Sequence, residues 1–150
     1  MASDNRTDSM SVNRLVGYIL GAAFLLAGLL GFTVADGFIG PEKGDLLLGL
    51  RVNHLHNIVH LLIGAALIYG ATRGTETARR INTLVGAVYA LVGVLGFFIA
   101  SDTKDYNILA LNMADNLLHV VSAAVLLGAA FLADKHSRTS TTNTTGSTRI

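Results

Sequence analysis

Four long apolar runs, separated by short segments that hold nearly all of the charge, constrain this chain more than any other feature of its sequence. The runs cover about residues 14–35, 46–71, 81–100 and 108–133. Each approaches or exceeds the roughly 20 residues that a helix needs to cross a bilayer. Charged residues make up 14% of the chain, against about 25% in a soluble domain. The sequence therefore predicts an all-α membrane protein with four transmembrane helices.

Polar segments flank the four predicted spans. We expect residues 1–13 and 134–150 to be disordered cytoplasmic tails around a membrane domain at 14–133, because the first segment is polar and the second is rich in Ser and Thr. The chain has no cysteine, which excludes disulfides and thiolate metal ligands. Its net charge of +1 is too balanced to indicate nucleic-acid binding. The lipid bilayer is the partner that this composition predicts.

The first and third spans carry glycines at helical spacing. Gly17 and Gly21 form a small-xxx-small pair, on which helices approach each other closely in lipid. The glycines that we predict to lie at helix contacts are Gly17, Gly21, Gly28, Gly31, Gly86, Gly93 and Gly96. Such surfaces would also permit a homo-oligomer.

The two halves of the chain resemble each other. Residues 21–32 match residues 86–97, 65 positions later, at seven of twelve places. The second and fourth spans align through an Asn-rich motif at an offset of 59. The chain is therefore predicted to contain two tandem helical hairpins of equal orientation, related by an axis along the membrane normal.

The distribution of Lys and Arg predicts the orientation. Eight of the eleven lie in the two tails, at the start of the first span and in the turn at 72–80, and three lie on the opposite side. Positively charged loops remain in the cytoplasm. We therefore expect both termini to be cytoplasmic and the protein to reside in the plasma membrane.

Polar side chains form one stripe on the second span and one on the fourth. They are Asn53, His56, Asn57, His60, Asn112, Asp115, Asn116 and His119. Spacings of three and four residues place each set on one helix face. Polar groups at membrane depth turn inward and pair with one another. The repeat predicts that His56 faces Asp115, that His60 faces His119, and that the asparagines of the two stripes meet.

Three functions are compatible with these stripes. The first is a structural network of hydrogen bonds between helices. The second is a cofactor site, with a transition metal on His56, His60, Asp115 and His119, or a haem between His60 and His119. The third is proton-coupled transport of a small solute, since imidazoles and carboxylates relay protons. No hydrolase, phosphate-binding or dithiol motif is present, so a conventional soluble-substrate enzyme is not expected.

Two paired motifs resemble those of a mainly actinobacterial family known as domain of unknown function 4383. They are Asn53-x-x-His56-Asn57-x-x-His60 and Asn112-x-x-Asp115-Asn116-x-x-His119. The opening segments Gly17-Tyr18-x-x-Gly21 and Leu-x-Gly-x-x-Gly-Phe32 are similar as well, and the resemblance covers about residues 12–133. It implies a bacterial four-helix membrane protein and assigns no activity, substrate or cofactor.

Overall fold

The computed structural model describes residues 10–40, 45–100 and 106–133. Its elements in chain order are α1 (Val12–Gly31), β1 (Asp45–Leu47), β2 (Leu50–Val52), α2 (His54–Thr72), α3 (Thr75–Ile99) and α4 (Met113–Leu132). All four helices are long and apolar enough to cross a membrane. The prediction of a helical protein with four candidate spans is confirmed. The predicted tails lie outside the described residues, except residues 10–13, of which 12 and 13 already belong to α1.

The second helix begins later than its apolar run. The predicted span starts at residue 46, whereas α2 starts at His54 because residues 45–52 form the antiparallel β1–β2 hairpin. The hairpin turns at Leu48 and Gly49, which both have a positive φ. The Oδ1 atom of Asn53 then caps α2 by accepting a hydrogen bond from the backbone N–H of His56 at 2.9 Å. Hydropathy alone did not separate this hairpin from the helix.

The fourth helix is shortened at its start in a similar way. The predicted span starts at residue 108, whereas α4 starts at Met113. The side chain of Asn107 closes the preceding turn, donating to the carbonyl of Leu111 at 2.9 Å and accepting from its N–H at 2.8 Å. Asn112 and Asp115 then form a capping box, in which each side chain accepts from the other residue's backbone N–H. In both helices an asparagine of the polar motif sets the first turn.

The helices pack closely as α1 with α2 and α3 with α4. Glycine permits this approach: a Cβ on Gly21 would lie 3.0 Å from the carbonyl oxygen of Gly64, and one on Gly93 would lie 3.1 Å from the backbone nitrogen of Val120. A side-chain rotation cannot relieve contacts with backbone atoms. All seven glycines that the sequence singled out face atoms of the helix paired with their own. They are therefore not available for contact with a second copy of the chain.

A shared core joins the two pairs. Its buried members come from all four helices and are Phe24, Leu67, Val85, Tyr89, Ala123 and Leu126. Large apolar side chains also cover the outer surface of the bundle; Leu26, Leu62 and Leu84 are at least 60% exposed. Because a soluble protein rarely exposes so much apolar surface, this exterior fits a lipid environment.

Candidate metal centre

Three buried histidines meet between α2 and α4. His56 and His60 lie one turn apart on α2, and His119 comes from α4. The ring centroids are 4.5 Å apart for His56 and His60, 6.0 Å for His56 and His119, and 6.4 Å for His60 and His119. One nitrogen from each of the three rings lies within 4.8 Å of the corresponding nitrogens of the other two rings. The three side chains are 1% to 6% exposed, so the group lies inside the bundle.

A backbone contact fixes the tautomer of His56. Its Nδ1 atom lies 3.2 Å from the carbonyl oxygen of Arg51. Because a carbonyl oxygen only accepts, Nδ1 carries the proton and donates it, and in the neutral ring Nε2 is left with a free lone pair. This is the tautomer that a metal ligand requires at Nε2.

One buried nitrogen of each imidazole lacks a hydrogen bond. Nε2 of His56, Nδ1 of His60 and Nδ1 of His119 are buried and have no partner among the described residues. A buried polar atom without a partner costs about 1–3 kcal/mol. Three of them on neighbouring imidazoles, whose ligand atoms lie within 4.8 Å of one another, indicate a place where a single ion would satisfy several nitrogens together.

A small cavity of about 40 Å³ adjoins the imidazoles. Its remaining lining is Tyr89 and the apolar side chains of Val59, Ile63, Val88, Val92 and Leu109. One water needs about 10–15 Å³, and sites for drug-sized ligands start at about 300 Å³. The cavity therefore accommodates an ion with one small ligand, and the haem that we considered between His60 and His119 does not fit.

Asp115, which the sequence placed among the metal ligands, is engaged elsewhere. Its Oδ2 atom accepts from the backbone N–H of Asn112 at 2.9 Å and from that of Arg51 at 3.1 Å. It is not a member of the histidine group, and the expected direct contact with His56 is not formed. Arg51 joins the two instead, because its N–H donates to Asp115 and its carbonyl accepts from His56.

Two of the four asparagines bind backbone rather than each other. Nδ2 of Asn53 donates to the carbonyl of Ile108 at 2.8 Å, and Nδ2 of Asn112 donates to the carbonyl of Gly49 at 2.8 Å. Each cap therefore also holds the loop that precedes the other capped helix. The expected amide-to-amide contact across the bundle is replaced by these two links.

The other two asparagines face the helix paired with their own. A Cβ on Gly31 would overlap the side-chain amide of Asn57, and a Cβ on Gly96 would overlap that of Asn116. The amide atoms of both asparagines are buried without a hydrogen-bond partner in the part of the chain that the structure describes. The asparagines of the two stripes are thus held apart by the helices of their own hairpins.

A family model described as a domain of unknown function, DUF4383, matches residues 14–132. The chain belongs to this family. No curated protein and no solved structure matches this chain significantly. The predicted family is confirmed, and the match covers all three histidines of the group.

Sequence reasoning missed Tyr89 in this DUF4383 chain. Tyr89 is 3% exposed, and its hydroxyl is buried with no hydrogen-bond partner among the residues described. Its ring stands edge-on to His119, with centroids 4.9 Å apart, and contacts Phe24 at 5.1 Å. Phe24 in turn stacks on His60 at 5.6 Å. The sequence did contain a signal for this residue, because Tyr89 occupies the position of the repeat at which the first copy has Phe24.

A second polar contact, between Asn13 and Asn82, was also missed. Both side chains are fully buried. Nδ2 of Asn82 donates to Oδ1 of Asn13 at 3.1 Å, and Nδ2 of Asn13 donates to the carbonyl of Ala129 at 2.9 Å. These bonds join α1, α3 and α4 at the end of the DUF4383 bundle opposite the histidines. An isolated asparagine within the third apolar run was the available signal.

Proposed function

We propose that this protein is an integral membrane metalloprotein that holds one transition-metal ion on His56, His60 and His119. The observation that carries the proposal is the convergence of three buried imidazoles, each of which has one buried nitrogen without a hydrogen-bond partner among the described residues. Neutral imidazole suits zinc, copper, iron and nickel. A purely structural network would instead pair these nitrogens with hydrogen-bond donors.

The dimensions of the group support a metal. Ligands at about 2.0–2.1 Å from a tetrahedral ion lie about 3.3 Å from one another. The nitrogens lie within 4.8 Å, so a small rotation of the side chains brings them to bonding distance. The carbonyl of Arg51 holds His56 in the required tautomer, which is the usual task of groups behind a metal ligand.

The structural-network interpretation applies to three other polar residues of the stripes. Asn53, Asn112 and Asp115 cap helices and bind loops. Each of these contacts includes a backbone group that would otherwise be unpaired at a helix end or in a turn. We therefore assign these three residues to stability and the histidines to function.

Proton transport receives less support. A relay needs polar groups through the whole thickness of the membrane. Between the histidines and the Asn13–Asn82 contact the bundle is filled by Leu67, Val85 and Leu126. This apolar layer interrupts a path through the centre of the bundle.

The two hairpins are proposed to be tandem parallel copies. Gly49 and Ile108 are 59 positions apart, as are Asn53 and Asn112, so each pair occupies equivalent positions of the repeat. Asn53 binds the carbonyl of Ile108, and Asn112 binds the carbonyl of Gly49. The ring contact of Phe24 with His60 has its counterpart in Tyr89 with His119. Such reciprocal contacts are expected of two units related by a two-fold axis along the membrane normal.

The membrane placement is proposed from charge. With the Lys/Arg-rich side in the cytoplasm, both termini are cytoplasmic and the histidine group lies in the outer half of a plasma-membrane bundle. The bilayer is the partner, and no nucleic acid is involved.

The test is metal analysis of the untagged protein, purified in mild detergent and offered zinc or copper. We expect about one ion per chain, lost in His56→Ala, His60→Ala and His119→Ala. His54→Ala is the matched control, because His54 stacks on Phe32 with centroids 5.6 Å apart and is not part of the group. An unloaded wild-type protein, or equal loss of metal in His54→Ala, would contradict the proposal.

A further inference from the structure

We propose that the metal centre binds one small, uncharged, lipid-soluble molecule of diatomic size, which enters from the bilayer and accepts a hydrogen bond from Tyr89. This inference rests on the proposed function, since the metal would hold the molecule. It adds the class of ligand, the route of entry and the role of a residue outside the histidine group.

The coordination number leaves room for such a ligand. Three protein ligands on a tetrahedral ion leave the fourth position open, as in catalytic metal sites. All three ligands are neutral imidazoles, and the carboxylate of Asp115 is committed to two backbone N–H groups. The cavity that these three rings line is the space in which we place the open position.

The size of the cavity selects the ligand. The cavity volume is about 40 Å³. One water needs roughly 10–15 Å³, so the cavity has the volume of about three waters. A molecule of two heavy atoms fits beside the ion, whereas an amino acid, sugar or nucleotide does not. The centre is thus closed to most metabolites by volume alone.

The lining selects for an uncharged ligand. Apart from the imidazoles and Tyr89, the cavity wall consists of valine, isoleucine and leucine side chains. A charged molecule would have to lose its hydration while it crosses this apolar wall, which costs many kcal/mol, even though the positive charge of the ion would attract an anion once it had entered. A neutral apolar molecule enters without that penalty.

The route of entry follows from exposure on α3. Val88 lines the cavity and is also 44% exposed on the outer surface of the bundle. His60 lies six residues after the start of α2, about 9 Å along the helix axis. At that depth the outer surface is apolar and faces lipid, where small neutral molecules dissolve readily. We therefore place the entrance beside Val88, between α2 and α3.

The hydroxyl of Tyr89 supplies the polar contact. The hydroxyl is buried without a partner among the residues described, Tyr89 lines the cavity, and its ring stands edge-on to His119. Its repeat equivalent, Phe24, fills the same kind of position without a hydroxyl. Packing therefore does not require the hydroxyl, and we assign to it the hydrogen bond to the ligand.

The experiment uses carbon monoxide as the probe on full-length protein loaded anaerobically with Cu(I) in detergent. We expect a single infrared C–O stretching band that saturates at one carbon monoxide per bound copper. Tyr89→Phe should keep the copper and shift the band, because the hydrogen bond to the bound molecule is lost. Val88→Trp should keep the copper and slow the binding of carbon monoxide several-fold.

Val125→Trp is the matched control for the entrance. Val125 has the same 44% exposure on α4 and does not line the cavity, so its replacement should leave the rate unchanged. Failure to load copper overturns the metal site and this inference together. Copper bound without a C–O band overturns the inference alone. An unshifted band in Tyr89→Phe overturns the role of Tyr89, and equal rates in the two tryptophan variants overturn the proposed entrance.

Discussion

At the scale of single residues, the histidine group is where the two halves of the chain differ. His60 and His119 are equivalent positions of the repeat, but His56 is matched by Asp115, and Phe24 by Tyr89. The asymmetry leaves three imidazoles instead of four and one hydroxyl instead of none. A purely structural core has no need of this difference, whereas a metal with three protein ligands and one open position does.

Asp115 provides a test of this asymmetry. Asp115→Asn should retain the full metal content, because the carboxylate binds backbone N–H groups of Asn112 and Arg51 and is not in the histidine group. The neutral amide oxygen accepts more weakly, so we expect a loss of stability of about 0.5–1.5 kcal/mol. Metal analysis combined with a thermal melt in detergent measures both effects. Loss of metal at an unchanged melting temperature would make Asp115 a ligand.

The spacing of the polar side chains was sufficient to predict that they face inward, but it did not predict which groups they contact. The i, i+3, i+4 pattern placed both stripes on inward faces, and three of the eight residues form the histidine group. Asn53 and Asn112 bind the carbonyls of Ile108 and Gly49 instead of each other. The paths of those loops depend on turns with positive φ at Leu48 and Ala110, which hydropathy and periodicity do not encode. Sequence alone therefore could not locate these contacts.

At the scale of elements, each hairpin is closed by an asparagine that faces a glycine. Asn57 on α2 faces Gly31 on α1, and Asn116 on α4 faces Gly96 on α3. The two asparagines are 59 positions apart and the two glycines are 65 positions apart, which are the two offsets of the sequence repeat. The four spans were predictable from apolar length, yet the late starts of α2 and α4 were not, because capping asparagines and a hairpin lie within the apolar runs.

Replacing Gly96 tests the closure of the second hairpin. In Gly96→Ala the new Cβ would overlap the amide of Asn116, so we expect α3 and α4 to separate slightly at a cost of about 1–3 kcal/mol. Gly128→Ala is the control, because nothing lies within 4 Å of a Cβ there, and alanine in a helix interior is about 1 kcal/mol more favourable than glycine. Thermal melts in the same detergent compare the two variants. Equal stability of both would show that Gly96 is not a close-packing position.

At the scale of the whole molecule, polar contacts lie at the two ends of an apolar bundle. The caps, loops and histidines lie near the starts of α2 and α4, and the Asn13–Asn82 contact lies at the opposite end. Arg79 and Arg80 lie at that second end and share the carboxylate of Glu76. In the orientation that we propose from the charge bias, this end is cytoplasmic and the histidines lie in the outer leaflet.

The orientation can be measured directly because the chain has no cysteine. Leu48 is 95% exposed at the tip of the hairpin, and Thr75 is exposed at the turn between α2 and α3. In intact cells, a thiol reagent that does not cross membranes should label Leu48→Cys and spare Thr75→Cys. Opening the cells should expose both, which controls for the reactivity of each thiol. The reverse pattern would place the termini outside and the histidine group in the inner leaflet, whereas labelling of both in intact cells would mean that this turn does not lie across the membrane from the hairpin.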